Sequence, residues 1–358
     1  MKLMVVFNVL KVKVLFIFLA LALLTAPSFA QDDSNQTATV TDEEGDEVTV
    51  PRCPEKIVCL TPAAAEVIFA LGESDRLVAL SADCTMPPAL SEKERVGQSG
   101  READVERILE LDPDLVIAKT GNLFPEEYEE QLESYGIPVL RYRVLHIDTL
   151  MPMIEDLGLI LDRVDAAREM NERVGGYYDL VLNRTAGIPE EERPKVYFMS
   201  MGHFDWTASS ESTGHERIVE AGGDNIAADL EGKVPHVDME WVIDSNPEMI
   251  IYSMPSSQYE GATPTLEAME LVREEIMSLP GFDQIDAVSS GNVYVVDINM
   301  ASGLAEVVNM LYYAKWFHPD LFEDLDPRAV HEEIYSKYFE MEIDYVHQVY
   351  PESASAIL

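Results

Sequence analysis

Apolar and polar positions along the chain follow one pattern that occurs twice. Residues Asp104 to Ala118 read DVERILELDPDLVIA, and Asp238 to Tyr252 read DMEWVIDSNPEMIIY. At a constant offset of 134 (238 − 104), Asp lies over Asp, Glu106 over Glu240, Ile108-Leu109 over Val242-Ile243, and Pro113 over Pro247. Each copy predicts a short helix capped by Asp, a stop before a proline-containing turn, and an acidic residue leading into a buried strand. Two copies predict two similar α/β lobes with a cleft between them.

The remaining elements fit around these units. Thr37 to Pro51 alternates about Glu44-Gly45 and predicts a small hairpin. Lobe one then reads as strand Ile57 to Leu60, helix Ala63 to Leu71, strand Leu77 to Leu80, the first repeat copy, helix Pro125 to Tyr135 and strand Pro138 to Tyr142. Ile147 to Asp162 and Ala166 to Asn183 are predicted helical, the second interrupted by Gly175-Gly176, where it can bend. At 1.5 Å per residue the second spans on the order of 30 Å, enough for a stiff strut. Lobe two reads as strand Lys195 to Ser200, helix Gly214 to Ala221, the second copy, helix Thr265 to Ser278, strand Asn292 to Val296, and helices Leu304 to Phe317 and Pro327 to Phe339. No element is predicted beyond Glu340. Strands alternating with helices predict parallel sheets covered by helices. The expected divisions are 37–146, a helical strut over 147–190, 191–340, and a tail over 341–358.

The first 30 residues stand apart from this pattern. Lys2, Lys11 and Lys13 precede an apolar run from Val14 to Leu24, with small residues Ser28 and Ala30 at an export-type cleavage position. The run is short for a bilayer span. An uncleaved N-terminal anchor is the alternative, because Met4 to Leu10 lengthens the segment. Residues 31–36 form a polar tether, and the protein is expected outside the cytoplasmic membrane.

Charge narrows the partners. The whole chain carries 25 Lys+Arg against 66 Asp+Glu. Without the three lysines of residues 1–30 the balance is 22 against 66, or −44. Such a chain repels nucleic acid and anionic lipid. Three cysteines, Cys53, Cys59 and Cys84, are too few for a disulfide scaffold, although a Cys53–Cys84 bridge is compatible with export.

Six segments, in order, resemble the iron-chelate and vitamin B12 class of substrate-binding proteins of ABC importers. They are IVCLTPAAAEVIFALG, DVERILELDPDLVIA, STGHERIVEAGGDNIAADL, VDMEWVIDSNPEMII, LPGFDQIDAVSSGNVYVVD and AKWFHPDLF. The resemblance covers about residues 37–340. It implies a fold of two Rossmann-like α/β lobes with central parallel sheets, joined by one long helix with little hinge motion. It also implies an ABC permease dimer with ATPase subunits as partner, a monomeric state and no cofactor. Glu106 and Glu240 fall where the family carries the acidic residues that pair with permease arginines. In a first helical turn, negative charge is also locally favourable.

Ligands of such sheets sit outside the carboxyl ends of the strands. The loops expected there carry Asp83, Lys119, Asn122, His146, His203, Phe204, Trp206, His236, Tyr259 and Asn299. Phe204 and Trp206 supply large contact area, and Lys119 suits an anionic chelate. The family's cobalamin-binding members carry aromatic residues at positions that fall on Asp83, Lys119 and His236, so the resemblance points first to an iron–siderophore or similar metal chelate and second to a corrinoid. His146, His203, His236 and Asp83 would together suit a bare transition-metal ion. The chain has no Gly-x-Ser-x-Gly elbow, Gly-x-Gly-x-x-Gly turn, phosphate loop or His-Glu-x-x-His, so a binding protein is expected rather than an enzyme or a receptor-coupled sensor.

Overall fold

The two copies of the repeated unit fold into separate sheets. In the computed structural model, which describes residues 36–261, 263–342 and 348–351, a hairpin of β1 (Thr37–Thr41) and β2 (Glu47–Pro51) leads into lobe one. That lobe contains β3 (Ile57–Cys59), α1 (Pro62–Ala70), β4 (Leu77–Leu80), β5 (Glu94–Arg95), α2 (Val105–Leu111), β6 (Leu115–Ala118), α3 (Glu126–Ser134) and β7 (Val139–Arg141). Helices α4 (Ile147–Ile160) and α5 (Val164–Thr185) follow. Lobe two contains β8 (Lys195–Met199), α6 (Thr213–Glu220), β9 (Asp224–Asn225), α7 (Met239–Ser245), β10 (Met249–Met254), α8 (Leu266–Met277), α9 (Asp286–Ser289) and β11 (Val293–Asp297). It ends with α10 (Ala305–Phe317), α11 (Pro327–Phe339) and β12 (Val349–Tyr350). The expected export segment or anchor lies outside the described residues. Among the described residues no helix is long and apolar enough to cross a membrane.

Sheet one runs β5-β4-β3-β6-β7 and sheet two β12-β11-β10-β8-β9. All pairings are parallel except β11 with β12. The strand β12 comes from the tail in which no element was expected. Its neighbour Gln348 is buried and donates to the Asp297 carboxylate at 3.0 Å, which ties the tail into lobe two.

The repeat is faithful down to single hydrogen bonds. Asp112 and Asn246, again 134 apart, both end their helices in the left-handed conformation. Asp114 accepts the Lys56 amide at 2.9 Å, and Glu248 accepts the Lys195 amide at 3.0 Å. Each acid therefore fastens the entry of its lobe's first strand to the strand that follows the repeat helix. The capping aspartates differ, however. The Asp104 carboxylate accepts the Arg107 amide at 3.0 Å, whereas Asp238 occupies the cap position without a side-chain capping bond.

Strand residues alternate between two cores, as a two-residue period requires. In sheet one Val58, Val116 and Val139 join Ile108, Phe124 and Leu132 in an outer cluster. In sheet two Tyr197, Ile250 and Val295 join Val242, Met269 and Ile276 in another. The intervening positions, Ile57, Ile117 and Leu140 from one sheet and Phe198, Ile251 and Val296 from the other, belong to a single cluster shared with α1, α4, α5, α10 and α11. Helix α11 of lobe two packs against α1 of lobe one. Opening the lobes widely would shear this close-packed layer, which resists continuous deformation. Helix α5 runs unbroken through Gly175-Gly176. A Cβ on Gly175 would meet Met151 Cε at 3.2 Å, so one glycine of the pair serves packing against α4.

Candidate ligand cleft

Strand order reverses at β3 in sheet one and at β8 in sheet two, so crevices form beside their carboxyl ends. A cavity of about 370 Å³ opens there between the lobes. Lobe one contributes Arg143 and Leu145, just beyond β7. Lobe two contributes residues that include Ser200 and Met201 after β8, the first residues of α6, and Lys233-Val234. A larger groove of about 630 Å³ lies on the outer side of α4 and α5, lined by Met151, Leu159 and Gly175-Gly176 among others. It is remote from the strand ends, and the inter-lobe cavity has the topology of a ligand site.

Two of the segments that reach the cleft are conformationally unusual. Val144, buried and β-branched, has φ 48°, and Met201, half exposed over the cavity, has φ 54°. Non-glycine residues adopt this region at a cost of order 1–3 kcal/mol, and such outliers cluster at functional sites. Each follows a strand end, one per lobe, and turns the chain across the mouth of the cleft.

The floor is a buried ion pair. Arg217 of α6 donates from Nε to Glu306 Oε1 at 3.3 Å and from Nη2 to the carbonyls of Ala301 at 2.7 Å and Leu145 at 3.1 Å, which joins the lobes. Burial pushes the Glu306 carboxyl up to about 7, against the pull of Arg217 and His146. Farther from the cavity, Glu66 of α1 receives a hydrogen bond from the Leu304 amide at the start of α10, and burial raises its carboxyl to about 8.

Arg143 and Lys233 differ from the cations around them. Among the described residues, neither side chain has a hydrogen-bond or ion-pair partner, while Glu211 is the only acid of the lining. The first turn of α6, through Ser212, Thr213 and Gly214, also lines the cavity, and its N-terminal amides add partial positive charge. Gly214 packs closely here, since a Cβ would lie 3.0 Å from Ala208 Cβ. In a chain of formal charge −41, the cleft is locally electropositive.

None of the ten residues singled out in the sequence is in the lining of this cavity. Asp83 and Lys119, expected to line the cleft, form an ion pair with each other, and Ser81 Oγ donates to Asp83 at 2.5 Å. Asn122 is exposed on the next turn, where its carbonyl accepts from Arg101. His146 caps α4. Its Nδ1 accepts the Asp148 amide at 3.3 Å and its Nε2 lies 3.1 Å from Glu220, whose hydrogen bond raises the imidazole pKa. Tyr178 of α5 donates to the same carboxylate at 2.6 Å. Tyr259 donates to Asp297 at 2.7 Å and receives Asn299 Nδ2 at 2.9 Å, so both serve a buried network.

Three aromatic residues do converge. Trp206 is stacked on His203, with centroids 4.0 Å apart, and its other neighbour His236 lies at 4.7 Å. Phe204 packs inward on Tyr252. Of the four residues considered for a bare metal, His203 and His236 thus share one neighbour, and among the described residues no group of three or more His, Cys, Asp or Glu could hold an ion. All three cysteines are free. Cys84 is buried, hydrogen-bonded to Ser81 and beside the Cys59 carbonyl, and the Cys53–Cys84 bridge is not formed in this structure.

Comparison with known proteins adds the decisive observation: residues 57–299 match the family model described as periplasmic binding protein. The chain belongs to that family. A vitamin B12-binding protein of Yersinia pestis (strain Pestoides F) is 30% identical over 218 residues, covering 60% of this chain and 76% of that protein. A TroA-like periplasmic binding protein of Veillonella parvula superimposes with a TM-score of 0.74 at 20% identity, covering 87% of this chain and 97% of that one. A molybdate periplasmic binding protein of Haemophilus influenzae gives 0.70 at 18%, covering 85% and 98%. Those two likenesses establish the fold. Membership makes this an extracytoplasmic solute-binding protein of the ABC-transport type, in agreement with the sequence resemblance, and its lobes have the expected class of fold.

The cleft residues Arg143, Lys233 and Arg217 were not among those singled out. A signal for two of them existed. Arg143 directly precedes, and Lys233 directly precedes, loops already placed at strand ends, and cations are scarce in this chain.

Proposed function

We propose that this periplasmic binding protein captures an anionic metal chelate, an iron–siderophore or a complex of similar chemistry, in the cleft between its lobes. The observation that carries the reading is the pair of unpartnered cations, Arg143 from one lobe and Lys233 from the other, beside the N-terminus of α6. Positive charge supplied by both lobes favours an anionic ligand that bridges them, and Met201, Val234 and Leu145 provide apolar contact for its organic frame. The expected contacts from Lys119, Asn122 and the His203–Trp206–His236 stack then belong to the rim. Binding of iron(III) catecholate, read by quenching of tryptophan fluorescence, tests this. The complex should bind, and Arg143→Ala and Lys233→Ala should each weaken it about tenfold. Equal affinity of all three proteins removes the reading.

A corrinoid is the second reading, favoured by the 30% identity to vitamin B12-binding proteins. Cyanocobalamin in the same titration distinguishes the two.

Delivery follows from the repeat. Glu106 and Glu240 are exposed in the first turns of the equivalent helices α2 and α7. We infer that this pair docks a monomeric binding protein on an ABC permease dimer with its ATPase subunits, near the membrane surface, where the N-terminal segment either is cleaved or remains as an anchor. Reversing both charges to lysine should abolish uptake and leave ligand affinity intact.

A further inference from the structure

The tip of the N-terminal hairpin carries three consecutive carboxylates, and each holds backbone at the mouth of the lobe-one cleft. Asp42, itself buried, closes its own turn through Oδ1, which accepts the amides of Glu44 at 3.0 Å and Asp46 at 3.1 Å. Its Oδ2 accepts the Arg141 amide at 3.2 Å. Glu43 Oε2 accepts two successive amides, Arg143 at 2.7 Å and Val144 at 3.1 Å, and the Glu43 amide donates to the Arg141 carbonyl at 3.0 Å. Glu44 Oε1 accepts the Gly121 amide at 2.5 Å in the loop after β6, and its Oε2 lies 3.6 Å from Arg141 Nε.

These bonds meet the chain where it is least able to hold itself. Val144 has positive φ although it is β-branched, a conformation that local preference opposes. A carboxylate that accepts two adjacent amides favours the concave backbone in which both point one way, the arrangement known from anion-binding nests. On one side of Val144 stands Arg143, which lines the cavity. On the other stands Leu145, which lines the cavity and offers its carbonyl to Arg217.

We propose that Glu43 is a positioning residue for the ligand cleft: by gripping the Arg143 and Val144 amides it fixes the left-handed turn that presents Arg143 to an anionic ligand. This rests on the cleft reading above. The hairpin is thus a built-in brace for the ligand site, its acidic tip gripping the backbone of a residue that lines the cavity.

The experiment compares wild type, Glu43→Ala, Glu43→Gln, Arg143→Ala and the Glu43→Ala/Arg143→Ala pair. Two readouts are used: amide hydrogen exchange without ligand, and affinity for iron(III) catecholate. Glu43→Ala should speed exchange at Arg143 and Val144 while the β6 and β10 amides stay protected, and should weaken binding about tenfold, as loss of a charged contact does. Glu43→Gln keeps an acceptor oxygen in place and should recover most of the affinity. In the Arg143→Ala background, loss of Glu43 should change affinity less than about twofold, since the two act as a unit. Additive losses, or unchanged exchange at residues 143 and 144, would overturn the proposal. If wild type fails to bind the complex, the ligand reading falls on its own. Exchange then decides the positioning claim: unchanged protection overturns it and selective loss supports it.

Discussion

Replacing Glu66 with glutamine should make this protein far less sensitive to pH. Glu66 is buried in α1, accepts the Leu304 amide of the other lobe, and has a second oxygen, Oε2, without a hydrogen-bond partner among the described residues. Tyr335 of α11 lies close enough to feel its charge. Burial raises the carboxyl from 4.5 to about 8. The folded state therefore keeps a proton that the unfolded chain releases above pH 4.5, and stability falls as pH rises from there to about 8. The shift of 3.5 units (8 − 4.5), at about 1.4 kcal/mol each, corresponds to about 5 kcal/mol over that window. Glutamine mimics the protonated acid and cannot titrate. Its extra amide hydrogen costs about 1–3 kcal/mol if unpaired, but that cost is the same at every pH. Urea unfolding of both proteins at pH 5 and pH 9 isolates the linkage. The stability of Glu66→Gln relative to wild type should rise by several kcal/mol between the two conditions. Parallel pH profiles would show that Glu66 is ionised in the fold and refute the reasoning.

Other expectations follow from single contacts. Gly303, at φ +64°, would place a Cβ 2.2 Å from Glu66 Oε2, so Gly303→Ala should destabilise by about 1–3 kcal/mol in thermal unfolding. Adding Glu66→Ala should recover part of that loss. Arg217→Ala leaves Glu306 buried without its cation and should cost about 3–5 kcal/mol. Arg217→Met should cost less if Glu306 takes up a proton, which a pH series of melting temperatures will reveal. Reversal of Glu106 and Glu240 to lysine should stop uptake of iron(III) catecholate in cells that carry the importer, with equilibrium affinity unchanged. Retained uptake would remove the docking role.

Much of the fold was legible because its elements carry period and punctuation. The repeat could be aligned residue by residue since Asp112 and Asn246, or Asp114 and Glu248, perform the same backbone task in each lobe. Short edge strands carry no such signal. Glu94–Arg95 and Asp224–Asn225 are two polar residues each, with no alternation to detect, and Val349–Tyr350 is recruited from a distance of 52 residues (349 − 297) by the edge of β11. The cleft was legible as a set of loops and much less as a set of side chains. Lys119 and Arg143 look alike in sequence, yet one is neutralised by Asp83 from 36 positions away and the other has no such partner. Which cation remains free is a property of tertiary pairing, and periodicity carries no information about it. His146 illustrates the same limit, since its Nε2 meets Glu220 from 74 positions away while its Nδ1 caps α4.

The account stands most directly on what the cleft holds when the protein works. Native mass spectrometry of the protein purified from its own host weighs that cargo. The account predicts a single added mass that matches an anionic iron chelate, at lower occupancy in Arg143→Ala and Lys233→Ala purified in the same way. A corrinoid mass retained by both variants would contradict it.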